Sequence, residues 1–149
     1  MTLLTFTVFG VAQPKGSARA FVPKGWTRAI VTSDNPKNKS WQQLVADGAS
    51  QSLEERGISC AGPVRLLVSF YLPRPKSLPK KIVAHLKKPD LDKLVRSVKD
   101  ALSKVLWQDD SQVVSLSASK EYAGESESPR AVITVIELTP LLIPGQETR

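Results

Sequence analysis

The sequence predicts an α+β fold, in which a small mixed β-sheet has two helices packed on it. Of the 149 residues, 41% are hydrophobic, which is enough to bury one core without disulfides. In some segments apolar and polar residues alternate, which is typical of strands. In two other segments apolar residues recur at three- and four-residue spacing, which is typical of helices. The segments follow the order β-α-β-α-β-β, so we expect one domain over residues 1–149.

The N-terminal half is predicted to contain two strands and one helix. Thr2 to Val8 alternates as a strand does. Residues 11–28 contain two prolines and two glycines, so we expect a loop or a short hairpin. A helix follows the turn signal at residues 34–36 and ends at Gly57. Val64 to Leu72 is rich in aliphatic and aromatic residues, which is typical of a strand. The apolar face of the helix is predicted to consist of Trp41, Leu44, Val45, Ala49 and Leu53.

The C-terminal half is predicted to contain a basic loop, a second helix and two strands. Leu72 to Lys88 holds three prolines and six basic residues but no acid, so we expect an exposed loop. Val113 to Ser119 and Ala131 to Leu138 are predicted strands. The second helix is the clearest element, because one apolar face recurs at helical spacing through Leu91, Leu94, Val95, Val98, Leu102, Val105 and Leu106.

Charge and cysteine content narrow the function classes. The net charge of +7 favours a polyanionic partner, and nucleic acid is the commonest one in a cytosol. The single cysteine, Cys60, excludes a disulfide framework within the chain and a four-thiolate zinc site. No apolar stretch is long enough for a membrane span, and the first residues lack a basic signal region. We therefore expect a cytoplasmic protein that does not bind membranes.

Four carboxylates lie inside the most basic part of the chain. Asp90 and Asp92 fall at the start of the second helix, and Asp109 and Asp110 directly precede the next strand. Hard divalent cations such as Mg²⁺ take carboxylate oxygens, and metal ions held in this way can activate water against a phosphodiester. Structural alternatives exist for each acid. Asp90 can be a helix cap, Asp92 can pair with Arg96 on the helix surface, and Asp109 and Asp110 can form a solvated turn.

A longer motif surrounds these acids and resembles a known family. It comprises Lys88-Pro89-Asp90-Leu91-Asp92-Lys93-Leu94, then Asp100-Ala101-Leu102, then Trp107-Gln108-Asp109-Asp110-Ser111-Gln112-Val113-Val114. This run resembles the signature of the RusA family of Holliday junction resolvases, roughly KPDxDNLxKxxxDAL followed by WxDDxQVV. Residues 10–21 also resemble the G-x-P-x-x-KGRPR stretch near the start of phage members. The likeness follows the same order along nearly the whole chain.

The resemblance implies a RusA-like fold, a homodimer and a metal-dependent endonuclease that cuts branched DNA such as four-way junctions. Asp90, Asp92 and Asp110 match the metal ligands of the family, with Mg²⁺ or Mn²⁺ as the cofactor. Asp109 stands beside them as a helper, and Asp100 matches a helix acid with a structural role. DNA contacts are expected from Lys15, Arg19, Lys76, Lys80, Lys81, Lys87, Lys88, Lys93 and Lys99.

Two positions depart from the family pattern. Lys93 stands where the family has Asn, and Arg96 stands where it has Lys. Arginine stays protonated, so it can stabilise charge or hold a phosphate but cannot donate a proton as a general acid. We therefore assign Arg96 an electrostatic role in catalysis. Lys99 lies on the same polar helix face and is the alternative. His85, the sole histidine, is interpreted as non-catalytic, and Trp26 as either an exposed loop residue or a base-stacking one.

Three function classes remain at this point. A metal-dependent nuclease explains both the acids and the cations around them. A non-catalytic protein that clamps branched DNA would keep the cations without needing the acids. A small basic RNA-binding protein explains the charge but not the acidic motif. Cutting of a four-way junction that depends on Mg²⁺ discriminates the first class from the second.

Overall fold

Two helices cover one face of a four-stranded sheet in the computed structural model, which describes residues 2–16, 18–33, 37–56 and 59–138. In chain order the elements are β1 (Thr2–Phe9), β2 (Ala18–Phe21), β3 (Ile30–Ser33), α1 (Lys37–Arg56), β4 (Val64–Leu72), α2 (Leu91–Leu102), β5 (Val113–Tyr122) and β6 (Arg130–Glu137). The predicted α+β class is confirmed. Neither helix has the length and apolar character that crossing a membrane would require within these ranges.

The sheet is mixed, with the strand order β1-β6-β4-β5. β6 pairs antiparallel with both β1 and β4, whereas β4 pairs parallel with β5. A parallel pair needs a long crossover, and α2 with its flanking segments provides it. The β4–β5 register shifts near its start, because Val64 pairs with Val113 and Arg65 pairs with Ser115. Val114 is therefore an extra residue, as in a β-bulge. β2 and β3 pair antiparallel as a short ribbon. Of the two predictions for residues 11–28, the hairpin is therefore correct, and it extends to Ser33.

The hydrophobic core lies between the sheet and the helices. One face of each inner strand is buried, and α2 adds its apolar stripe to the same core. This stripe, predicted from the sequence, is confirmed for Leu94, Val95, Val98 and Leu102. On β5, the residues that pair with the buried positions of β4 lie on the helix-covered face, and these are Leu116, Ala118, Lys120 and Tyr122. β5 thus carries a row of side chains toward α2.

The predicted extent of the second helix is wrong at its C-terminal end. α2 stops at Leu102, Ser103 has extended backbone with φ −61° and ψ 135°, and Lys104 has a positive φ of 71°. The amides of Val105 and Leu106 both donate to the carbonyl of Leu102, which turns the chain back toward the core. Leu106 is buried and Val105 is half-buried, so their spacing reflects burial after a turn rather than continued helix.

The predicted apolar face of the first helix is correct except at one position. Trp41, Val45 and Ala49 are buried and Leu53 packs against the core, whereas the side chain of Leu44 is 47% exposed. The buried side chains follow a strict four-residue spacing, and Leu44 falls at the edge of this stripe. The predicted turn signal at residues 34–36 and the expected cap at Gly57 lie outside the described residues.

A buried polar contact joins the two helices. The Ser97 hydroxyl donates to Asn38 Oδ1, and both residues are buried. Gln42 Nε2 donates to the Ser97 carbonyl at 3.0 Å. Because an unpaired buried polar group costs more than a made hydrogen bond contributes, this contact fixes how α1 sits on α2.

We predict that Ser97→Ala destabilises the fold by about 1–3 kcal/mol, because it leaves the Asn38 amide buried without its donor. Urea unfolding measures the change. Ser50→Ala, at an exposed position of α1, is the matched control and should change stability by less than about 0.5 kcal/mol. Equal stability of the Ser97→Ala variant and the parent would contradict the assigned role.

Candidate active site

Asp90 stands at the N terminus of α2 but does not cap it. Its backbone is extended, with φ −70° and ψ 139°, and its carboxylate makes no capping hydrogen bond. The exposed side chain instead lines a cavity together with Lys87, Lys88 and Lys93. The capping alternative considered from the sequence is therefore not observed, and the carboxylate stands in a basic surrounding.

A second cavity, of about 570 Å³, lies between α2 and β5 and is named here the acidic cavity. Its charged lining residues are Asp92, Arg96, Lys99, Asp100 and Asp110, and its apolar wall includes Leu116 and Ala118 from β5. Among the described residues the ion pairs are Lys15–Asp100 and Arg130–Glu127. The alternative of an Asp92–Arg96 surface pair is thus not observed, and both groups face the shared cavity.

Asp110 is held in place by its neighbours in the chain. It begins a single 3₁₀ turn (Asp110–Gln112), and Trp107 Nε1 donates to Asp110 Oδ1 at 2.9 Å. Trp107 is buried. Indole has one N–H and no acceptor, so this bond orients the carboxylate of Asp110, which lines the acidic cavity.

Asp109 has a structural role in the same turn. Its carboxylate accepts from the Ser111 amide at 2.9 Å and caps the 3₁₀ turn. Hydrogen bonds from the backbone and side chain of Ser111 lower the pKa of Asp109. The side chain of Asp109 thus fixes the turn that presents Asp110, and its helper role in catalysis stays a prediction.

Gln112 connects this turn to the entrance of β4. Its side-chain oxygen accepts from the amides of Gln108 and Asp109, and its Nε2 donates to the carbonyls of Cys60 and Gly62 at 3.1 and 3.0 Å. All four polar contacts of one amide are used. The turn considered from the sequence as merely solvated is consequently tied to the sheet.

Lys120 ties the segment before α2 to β5. Its Nζ donates to the carbonyls of Lys87 and Pro89, at 2.7 and 2.9 Å. A charged donor strengthens both hydrogen bonds. Because Pro89 directly precedes Asp90, these two hydrogen bonds fix the position of Asp90 at the start of α2.

The cations predicted to contact DNA occupy different settings. Lys15 pairs with Asp100, and its amide donates to the Lys93 carbonyl at 3.0 Å. Lys93 and Lys99 are half-buried beside the two cavities. The side chain of Arg19 lies outside the described residues. The loop lysines are exposed, as predicted, and comprise Lys76, Lys80, Lys81, Lys87 and Lys88.

The structure brings two of the three predicted metal ligands together. Asp92 and Asp110 line the acidic cavity, whereas Asp90 lines the neighbouring one. No compact group of three acid, histidine or cysteine side chains occurs in the described part of the chain. Mg²⁺ is commonly bound by one or two carboxylates and several waters, so the donor chemistry of the acidic cavity fits such an ion.

His85 packs on Tyr122 beside Asp90. The ring centroids are 4.5 Å apart and the planes are tilted by 40°. Burial, and next the Lys120 ammonium, lower the pKa of the His85 imidazole. The sequence does not predict the His85–Tyr122 contact or the hydrogen bonds of Lys120, because they join distant segments of the chain. It does not predict the hydrogen bond from Trp107 to Asp110 either, because that bond depends on side-chain orientation.

Carboxylates and cations that share a cavity define a class of site, namely a candidate centre for cleaving phosphodiesters. The model of the family described as "Endodeoxyribonuclease RusA" matches residues 12–136, so the chain belongs to the RusA family of Holliday junction endonucleases. A relative from Bacillus subtilis strain 168, named "Uncharacterized protein YqaN", is 36% identical over 149 residues. That alignment covers 93% of this chain and 99% of the relative.

We predict that His85 makes the fold less stable as the pH falls from 7.5 to 5.5. Its pKa is lowered in the folded chain, so the unfolded chain takes up a proton first, near pH 6.5, and the free energy of unfolding drops. Urea unfolding at both pH values measures the drop, which should be smaller in His85→Gln. The ordinary pKa values of Asp and Glu lie below this window. An equal drop in both proteins would contradict the assignment.

Proposed function

We propose that this chain is a Mg²⁺-dependent endonuclease that cuts Holliday junctions and related branched DNA in the cytoplasm, during recombination and repair. Mn²⁺ is expected to substitute for Mg²⁺. The observation that carries the proposal is the acidic cavity, where Asp92 and Asp110 face Arg96 and Lys99. Within an endodeoxyribonuclease family, such a cavity suits a phosphodiester and the cation that accompanies it.

Each group in the acidic cavity has a distinct task in this proposal. Asp92 and Asp110, with Asp90 beside them, would hold the metal. When bound, Mg²⁺ supplies Lewis-acid polarisation of the phosphate and lowers the pKa of a bound water. Arg96 stabilises negative charge that develops on the phosphate, because its guanidinium stays protonated. Trp107 keeps the Asp110 carboxylate oriented through its N–H bond.

The basic loop places the DNA backbone in this proposal. Lys87 and Lys88 are exposed next to Asp90, and Lys80 and Lys81 are exposed farther back along the same loop. Lysine is a point charge that contacts phosphates without fixed geometry, so these residues hold DNA of any sequence. Their position brings a phosphate backbone past the start of α2.

We further propose that two copies act as a homodimer, because two active sites can cut the two strands of a junction in one encounter. β5 is the edge strand beside the acidic cavity, and its Val114 and Leu116 side chains are 63% and 50% exposed. An exposed apolar edge strand invites pairing with another chain. Light scattering should give twice the mass of the chain, and Val114→Lys should shift it toward the monomer. A parent that is monomeric at micromolar concentration would contradict the dimer.

We predict that Asp90→Asn, Asp92→Asn and Asp110→Asn each slow the cutting of a labelled four-way junction by more than about 100-fold. Loss of an outer partner of a metal ligand already costs about 10–100-fold. Junction binding should persist, because the cations remain. Cutting is followed on denaturing gels with Mg²⁺ and with EDTA.

Asp47→Asn is the matched control, since Asp47 lies on the exposed side of α1, where it accepts a hydrogen bond from Gln43. It should cut at the parental rate. Binding without cutting by the parent in Mg²⁺ and Mn²⁺ would identify a non-catalytic DNA-binding protein. Normal cutting by the three Asn variants would remove the acids from the mechanism.

We predict that Arg96→Ala lowers the cutting rate about 10²–10³-fold, because one charge-stabilising group is lost. Arg96→Lys should stay within about tenfold of the parent, because positive charge is retained. Arg65→Ala, on an exposed position of β4, is the control. Single-turnover rates measure the effect. A sharp gain in Arg96→Lys with a new ionisation in its pH profile would indicate a general acid instead, and unchanged cutting by Arg96→Ala would point to Lys99.

A further inference from the structure

A cavity of about 480 Å³ opens beside the start of α2, on the other side from the acidic cavity. His85 and Tyr122 contribute an aromatic wall, and aliphatic and proline side chains from residues 11–14 and 72–75 complete the apolar lining. Lys87, Lys88 and Lys93 bring positive charge to the same cavity. This aromatic cavity combines a flat apolar surface with cations, and it shares Asp90 with the proposed nuclease site.

The aromatic wall is braced from behind. The Arg74 guanidinium lies over the Tyr122 ring, 5.2 Å from its centroid, and Arg74 does not line the aromatic cavity. On the cavity side His85 packs against the same ring. Since its pKa is lowered, the imidazole is neutral near pH 7 and can offer an uncharged ring face for stacking.

We propose that the aromatic cavity holds one unpaired nucleobase of branched DNA, stacked on the His85–Tyr122 wall, with the neighbouring phosphates on Lys87 and Lys88. Aromatic side chains interleaved with cations are the usual means of binding single-stranded nucleotides. A free phosphate would use the lysines but leave the aromatic wall without a role. The cost of taking up a base is lowest where that base is already unpaired. The proposal rests on the proposed function and adds to it a binding site for one nucleotide close to the cut.

Junction binding measured in Ca²⁺ instead of Mg²⁺ tests the cavity separately from cutting. A single abasic nucleotide is moved through the positions around the branch point of a labelled four-way junction. The parent should lose about tenfold in affinity at one position, since stacking of one base is worth roughly 5- to 150-fold in affinity. Tyr122→Leu should lose about tenfold on the intact junction and show no further loss on the abasic one.

Tyr71→Leu is the matched control, because Tyr71 also carries an arginine over its ring, Arg130 at 4.1 Å, and lies outside the aromatic cavity. It should keep both the affinity and the abasic penalty. Tyr122→Phe should behave like the parent. If Tyr122→Leu fails to fold, His85→Leu compared with His85→Phe replaces it, with the same expectation.

Three outcomes separate the two proposals. An abasic penalty that persists in Tyr122→Leu, or an intact affinity in that variant, overturns the base-binding cavity and leaves the nuclease proposal standing. The expected binding pattern without cutting in Mg²⁺ overturns the nuclease and supports the cavity. A parent that does not bind four-way junctions at all overturns both.

Discussion

The parallel pairing of β4 with β5 is the constraint on which the rest of the molecule depends. A parallel neighbour cannot be reached by a tight turn, so the chain must leave β4, cross the sheet and return. The crossover carries the basic loop, α2 and the 3₁₀ turn. All three predicted metal ligands lie on it, Asp90 and Asp92 at the N-terminal end of α2 and Asp110 in the turn that follows the helix. The pairing therefore brings acids that are far apart in sequence to the same edge of the sheet.

Polar ties then fix the ends of this crossover. Lys120 holds the carbonyls before Asp90, and Gln112 holds the turn that contains Asp110. Asp109 caps that turn, and Trp107 orients the carboxylate of Asp110. The cavities are open, so apolar packing alone does not position the acids. Directional hydrogen bonds from β5 and from the turn that precedes it position the acids instead. This explains why the motif contains residues that have no obvious chemical task next to the acids that have one.

Much of this arrangement follows from sequence patterns, and the exceptions have physical causes. Alternation and helical periodicity located the strands and α2, because burial repeats locally with the period of each element. The same signal extended α2 past Leu102, since Leu106 is buried after a turn. The acids were recognised through their motif, yet their division between two cavities was not, because it depends on side-chain direction. The role of Lys120 depends on strand pairing, about which its neighbours in sequence carry no information.

The alternation of β5 side chains between the two faces of the sheet determines which deletions in the gene can be tolerated. Leu116, Ala118, Lys120 and Tyr122 serve two cavities from alternate positions of one strand, and a shift by one residue turns such a row to the opposite face. Loss of one codon within residues 116–121 would therefore turn part of the row away. Loss of the Val114 codon would only remove the bulge and leave the downstream pairing intact. Selection should therefore remove single-residue deletions downstream of the bulge but tolerate a deletion at the bulge itself. Substitutions on the outer face of the strand should accumulate.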